Sequence, residues 1–433
     1  MPPITQLSLQ NRTVHRTVLD NGMVVLAVEN PAADIVAARF FIRFGSGYEA
    51  SHQAGVAHLM ATVMTKGTDR LSSQEIAEQV ESVGASLGAD SAADYFLMSL
   101  KTVSADFEEM LRLLGEVMRS PSFPPEEVDL ERRLTIQSIR SMQEQPFAVA
   151  NAQLREAMFQ DHPYGQSSLG TEETVSHLTQ ADLKQYHQTY FRPDNIVACV
   201  VGRISPTTVV DLIQQTFGDW QPPHTEAGLL PLPERSLPQI TAHPKQVVTL
   251  QETQQAIVML GHLAMSMQHP SHIPLRLLNT YLGNGLSSRL FVELREKRGL
   301  AYEVSAFYPT RLDQSQFVVY IGTAPENTAI AREGLQQEVD RLCQVLLTEE
   351  ELQAAKNKLL GQYALGKQTN GQIAQIFGLY ETLGLGIEFD EQFQKQVAEV
   401  TAEMAQAAAQ ECFSHDPYLS LVGPKGAIDL IAN

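Results

Sequence analysis

Apolar positions recur along this chain with two different periods, and each change of period marks a change of element. Near the start, "HRTVL" and "MVVLAVE" flank Asp20-Asn21-Gly22. Asn-Gly favours the positive backbone angles of a tight turn, so a hairpin of two strands is expected. In "IVAARFFIRF" the positions Val36, Ala38, Phe40, Ile42 and Phe44 alternate with a face that carries Arg39 and Arg43. That period of two predicts a strand with one buried and one solvated face. A helix containing His58 is expected next. Further on, Phe107, Met110, Leu111, Leu114, Val117 and Met118 recur at helical spacing behind Ser104, an N-cap residue type. "SPSFPPEE" then breaks the chain before a long helix predicted from about Glu126.

From Trp220 to Lys245 the periodicity lapses. "WQPPHTEAGLLPLPERSLPQITAHPK" holds six prolines and reads as an extended linker. The sequence on its two sides is related. "VSHLTQADLKQYHQTYFRPDNIVACVVG" from Val175 can be laid on "VAEVTAEMAQAAAQECFSHDPYLSLVG" from Val397, with Thr179 over Thr401 at an offset of 222 residues. "PPEEVDLERRL" near 124 matches "TEEELQAAKNKL" near 348 at nearly the same offset. Two independent matches at one spacing indicate an internal duplication. The expected fold is α+β: two homologous domains, residues 1–219 and 246–433 joined by the linker 220–245. Each is expected to be a mixed, mainly antiparallel sheet flanked by helices, the two facing each other across a cleft.

Composition narrows the function classes. A chain of 433 residues with 43% hydrophobic content has room for two or three well-buried cores. Its formal net charge of -19 repels phosphate backbones and anionic lipid, so no nucleic-acid partner is expected. No stretch approaches the roughly 18 uninterrupted apolar residues of a membrane span, and the N-terminal residues carry no apolar core of signal-peptide length. A cytoplasmic protein with no membrane partner is the expectation. Cys199, Cys343 and Cys412 are scattered in largely apolar contexts and read as core thiols.

The chemistry starts at "AGVAHLMATVMTKGT", residues 54–68, which reads like a metal-site helix with its metal-binding groups replaced. His58 is followed three and four positions later by Ala61 and Thr62. The closely spaced pair His269 and His272, in "QHPSH", is interrupted by Pro270 and has no acidic neighbour, which favours an ordinary loop.

Three stretches together resemble the pitrilysin and mitochondrial processing peptidase family, the inverted zinc peptidases: "FGSGYEASHQAGVAHLMATVMTKGT", "HPYGQSSLGTEETVSHLTQADLKQYHQTYFRPDNIVACVVG" and "YLGNGLSSRLFVELREKRGLAYEVSAFY". They follow in that family's order, and the likeness spans nearly the whole chain. Active members carry His-x-x-Glu-His on the first helix, two imidazoles one turn apart with a glutamate as base, and a third ligand, a glutamate, about 75 residues later. Here only His58 matches. Ala61 stands at the base, Thr62 at the second histidine, and the third-ligand position falls near Ser138. One imidazole does not hold zinc, which takes three protein ligands plus water.

Other parts of the family pattern are kept. Arg295 and Tyr302 in "LREKRGLAYEV" resemble the C-terminal Arg/Tyr pair, whose guanidinium and phenol can hydrogen-bond a substrate carbonyl near the scissile bond. Spacing alone favours a plainer reading, in which Arg295 ends a solvated helix and Tyr302 starts a strand with its ring in the core. "LGNGLSSRLF" resembles the family's glycine-rich segment, where Gly283 and Gly285 allow close backbone approach or positive backbone angles. Gly88-Ala89 stands where active members usually have Asn-Ala on the edge strand that binds extended peptide.

The resemblance implies a non-catalytic subunit of a heteromeric zinc metallopeptidase. No cofactor is expected in this chain. The expected partner is a homologous subunit with an intact His-x-x-Glu-His motif that binds zinc, with an extended peptide as substrate. A catalytically inert scaffold or peptide-binding protein of the same fold is the alternative. A self-sufficient peptidase is disfavoured, because no group remains to activate water.

Overall fold

The computed structural model describes residues 5–9, 12–225, 228–233, 235 and 237–431. The first sheet has seven strands: β1 (Thr5–Leu9), β2 (Arg12–Val18), β3 (Val24–Glu29), β4 (Ile35–Ile42), β5 (Ser86–Ser91), β6 (Phe96–Val103) and β7 (Ile196–Gly202). Their spatial order is β1-β2-β3-β7-β4-β6-β5. The predicted hairpin is β2–β3, with Gly22 at φ 89° supplying the left-handed residue of its turn.

In the Pro-rich segment, β8 (His224–Thr225) and β9 (Gly228–Leu229) form a small pair, and its other described residues have no regular structure. Residues 226, 227, 234 and 236 of the linker lie outside the described set. The second sheet contains β10 (Gln246–Leu250), β11 (Ala256–Ala264), β12 (Glu303–Phe307), β13 (Ser315–Thr323) and β14 (Tyr418–Gly423), in the order β10-β14-β11-β13-β12.

The internal repeat is visible in this topology. The run β3-β7-β4-β6-β5 has the same order as β10-β14-β11-β13-β12. In each five-strand run the last strand in sequence lies parallel to the first, β7 to β3 and β14 to β10, and antiparallel to the second, β7 to β4 and β14 to β11. Thr179 and Thr401, superposed in the sequence comparison, are both N-caps, each accepting from the third amide of its helix.

The chain gathers into two compact units, but neither is a single run of sequence. One comprises 1–137, 167–236 and 364–392; the other comprises 138–166, 237–363 and 393–433. The division into 1–219 and 246–433 follows the repeat rather than the packing. Helix Asn370–Thr382 packs on β4 and β7 of the first sheet, and helix Pro146–Phe159 packs on β11 and β14 of the second. Each sheet therefore borrows the helix covering one of its faces from the other repeat.

This exchange corrects the expectation of a solvated face on β4. Phe41 and Cys199 are fully buried in a core with Ile373, Ala374 and Phe377 of the borrowed helix. Arg43 donates to the Thr382 carbonyl at 3.2 Å, and Arg39 is half-buried. The opposite face carries helix Phe107–Arg119 and helix Pro206–Phe217, with Phe40 and Phe217 ring centroids 5.4 Å apart. Ser104 does not cap its helix. One 3-10 turn, Ser104–Asp106, precedes the α-helix, and no side-chain cap bond forms. The long helix expected near Glu126 runs Pro125–Gln143. All three cysteines are free thiols. No helix among the described residues is long and apolar enough to cross a membrane.

Candidate functional site

His58, Ala61 and Thr62 share the helix Val56–Val63, which packs on edge strand β5. Its start is unusual. Gly55 precedes it at φ 97°, and a Cβ there would meet the Leu169 carbonyl oxygen at 2.6 Å, so only glycine fits. The orphan amides of the first turn are met from upstream. Glu49 accepts from the N–H of Gly55 at 2.7 Å and of Ala57 at 2.8 Å. The Glu49 side chain is itself buried, and burial outweighs those two bonds and pushes its pKa up to about 8. The sequence reading missed this residue, although "GYEA" places a carboxylate just ahead of the helix start.

The His58 ring is half-buried and has no hydrogen-bond partner among the described residues. Burial pulls its pKa down, opposed by the negative charges of Asp90 on β5 and Glu131 on helix Pro125–Gln143. Glu131 is engaged by Lys66 at 3.2 Å. Ala61 is buried. The Thr62 hydroxyl donates back to the Leu59 carbonyl at 2.9 Å, a bond made within its own helix. Ser138 is exposed on helix Pro125–Gln143.

In the second unit, Arg295 lies on the π-helical segment Phe291–Lys297. The segment ends in a left-handed glycine cap. Gly299 at φ 64° donates to the Arg295 carbonyl at 3.1 Å, Leu300 N–H donates to Leu294 O at 2.8 Å, and both leucines are buried. With Leu294 held inward, the neighbouring Arg295 is left on the exposed side. Its guanidinium lies 5.0 Å over the Phe291 ring and forms no ion pair among the described residues.

The chain then enters β12, with Tyr302 one residue ahead of the strand and its amide bonded to the Gly322 carbonyl at 2.9 Å. Tyr302 is 57% exposed, which removes the buried-ring alternative, and its hydroxyl has no partner among the described residues. One guanidinium and one phenol therefore stand without a polar partner among the described residues, on adjoining parts of one unit.

The glycines divide the two roles expected of them. A Cβ at Gly283 would collide with the Ala306 backbone nitrogen at 2.0 Å, so it serves close packing on β12, whereas Gly285 adopts φ 81°. Gly88 and Ala89 lie on β5, which pairs only with β6 and so presents an unpaired strand edge among the described residues. His272 is a core residue bonded to the Tyr308 hydroxyl at 3.0 Å, and His269 sits in a loop 3.6 Å from Glu411.

Residues 24–172 match the Insulinase (Peptidase family M16) domain, and residues 177–359 match the Peptidase M16 inactive domain. The chain belongs to peptidase family M16. Similar curated relatives include a protein named as an uncharacterized zinc protease of Bacillus subtilis, 26% identical over 95% of this chain and 99% of that protein. Another, so named in Mycobacterium leprae, is 28% identical over 95% of this chain and 92% of its own length. Two solved structures show the same fold. One is a peptidase M16 inactive domain from Pseudomonas fluorescens, with a TM-score of 0.86, 24% identity and coverage of 95% of this chain and 98% of that one. The other is a protease from Helicobacter pylori, with a TM-score of 0.87, 21% identity and coverage of 98% and 100%.

The residues that the sequence resemblance sets at the zinc positions offer a poor donor set for the ion. Ala61 offers a methyl group, the Thr62 hydroxyl is spent on Leu59, and His58 is left as one nitrogen donor. Among the described residues, no three His, Cys, Asp or Glu side chains converge in a way that could hold a metal.

Proposed function

We propose that this chain is the non-catalytic subunit of a heteromeric zinc metallopeptidase and lends Arg295 and Tyr302 to the active site of a zinc-bearing homologue. The observation that carries this reading is the contrast between the two sites. At the expected base and second-ligand positions Ala61 offers only a buried methyl group and the Thr62 hydroxyl is bonded within its own helix, whereas the guanidinium of Arg295 and the phenol of Tyr302 are exposed with no polar partner among the described residues. Exposed polar side chains without polar partners lend little stability to their own fold. A peptide carbonyl drawing hydrogen bonds from both would give them a use. The free edge of β5 supports binding of extended peptide through backbone groups, which tolerate glycine at position 88.

Two measurements test this. Metal analysis of the purified chain is expected to find far less than one zinc per chain. A stoichiometric ion lost on His58→Ala would contradict it. Mixing the chain with a zinc-bearing M16 homologue from the same cell is expected to give a complex that cleaves peptide, each component alone being nearly inactive. Failure of every such homologue to bind would remove the split-site reading.

A further inference from the structure

Where helix Asn370–Thr382 begins over β4, the first unit contains a cavity of about 550 Å³, lined by Asn30, Ile35, Arg39, Lys101, Gln372 and Gln375 among others. Its size is that of a small-molecule site, which runs from roughly 300 to 1,000 Å³. Its charge sets it apart from the rest of the chain. The sequence carries 50 Asp and Glu against 31 Lys and Arg, yet this wall holds two cations and no carboxylate.

The two cations share one sheet face. The β4–β6 register sets Arg39 opposite Ser99 and Ala37 opposite Lys101. Arg39 and Lys101 are thus diagonal cross-strand neighbours, at a backbone separation of roughly 7–8 Å. Arg39 makes one long hydrogen bond, to the Ala38 carbonyl at 3.3 Å, and Lys101 is exposed with no acidic partner among the described residues.

A third positive element faces them. A Cβ on Gly371 would lie 3.2 Å from Arg39 Nη2, so the missing side chain lets the guanidinium rest against the first turn of the helix. That is the positive end of the helix dipole, where a cation is disfavoured. Thr369 and Gln372 close the helix start on themselves through a capping box, so it contributes sign rather than open donors. Burial lowers the Arg39 pKa, and the Cys199 thiol is the one group opposing that fall.

The wall is preorganised. Asn30 donates to Asn370 at 2.7 Å, and Asn370 donates to the Ile35 carbonyl at 2.8 Å. Ala32, Ala33 and Ile35 supply an apolar flank.

We infer that this cavity binds a small organic phosphate, its monoester dianion held between Arg39 and Lys101 and its organic part against Ala32, Ala33 and Ile35. A tetrahedral dianion can offer oxygens to both cations at once, and the guanidinium fork suits it better than it suits a lone monoanion. The inference stands on the first unit alone and is independent of any role in peptide cleavage.

Isothermal titration of the purified chain with phenyl phosphate, inorganic phosphate and benzoate tests it. Phenyl phosphate is expected to bind at one site, more tightly than either of the others, because only it matches both the charge and the apolar flank. Lys101→Met, at an exposed position compatible with folding, is expected to weaken that binding by about tenfold or more through loss of one charge-assisted contact. Arg39→Met is expected to abolish it. No binding of phenyl phosphate up to about 10 mM would overturn the inference. Unchanged affinity in Lys101→Met would do the same, and inorganic phosphate binding as tightly as phenyl phosphate would overturn the organic part.

Discussion

The His58 helix and the Arg295–Tyr302 segment occupy corresponding stretches of the two repeats, each lying between a central strand and the edge strand of its sheet. Their surroundings are nevertheless opposite. Around His58 the polar groups are turned inward to hold the helix in place, with Glu49 capping its amides and Thr62 bonding its own backbone. Around Arg295 the apolar groups are turned inward, Leu294 and Leu300 closing the helix end, and the polar side chains are left outside without partners. The lesson is that one strand order can be kept for folding while the segment between its central and edge strands is packed in one copy and leaves its polar side chains exposed in the other. Stability is therefore expected to be sensitive in the first region and nearly indifferent to the exposed donors of the second.

The largest stability effect should come from Glu49. Glu49→Ala leaves two buried helix amides without an acceptor and is expected to cost about 2–4 kcal/mol in urea denaturation. The same group sets a pH dependence. Its carboxyl releases a proton near 4.5 in the unfolded chain and at about 8 in the folded one. Between those values the unfolded state binds fewer protons, so stability falls as pH rises from about 4.5 to 8 and is flat above. Glu49→Gln should remove that slope in melts at pH 5 and pH 8. A slope of the opposite sign in the wild type would show that the two amide bonds outweigh burial.

The borrowed helices give the next comparison. A Cβ at Gly378 would meet Phe41 Cε2 at 2.3 Å, and the ring is fully buried beside Tyr95 at 5.3 Å. Gly378→Ala is expected to cost about 1–3 kcal/mol despite the better helix propensity of alanine. In the second unit the matching close approach is on the strand, where a Cβ at Gly261 meets Met158 Sδ at 2.7 Å. Methionine can swing aside, so Gly261→Ala should cost under about 1 kcal/mol. Equal costs would mean that the two helix–sheet contacts are equally rigid. Smallest of all, Arg295→Ala with Tyr302→Phe should change stability by less than about 0.5 kcal/mol, since both side chains are exposed.

Much of the fold could be read from local pattern. The Asn21-Gly22 turn, the existence of the β4 strand and the 222-residue repeat depend on residues close in sequence or on direct self-similarity, and each appears in the structure. The helix exchange could not be read in this way. Nothing in "IVAARFFIRF" signals that a helix more than 300 residues away covers its second face, so Arg39 and Arg43 looked solvated when one lines a cavity and the other is tied to Thr382. At the candidate site, the replacements at Ala61 and Thr62 were visible as residue types. The buried cap from Glu49 was not, because it reaches six and eight residues forward from outside any regular period.

The most direct test of the split-site assignment is the peptide-cleavage rate of a reconstituted complex between this chain and a zinc-bearing homologue, with the wild-type chain and with Arg295→Ala plus Tyr302→Phe. Loss of a donor to a developing oxyanion costs roughly 100- to 1000-fold in rate, so the doubly substituted complex should form with unchanged affinity and turn over at least about 100-fold more slowly. An undiminished rate in a complex that still assembles would contradict the assignment and leave this chain as a scaffold.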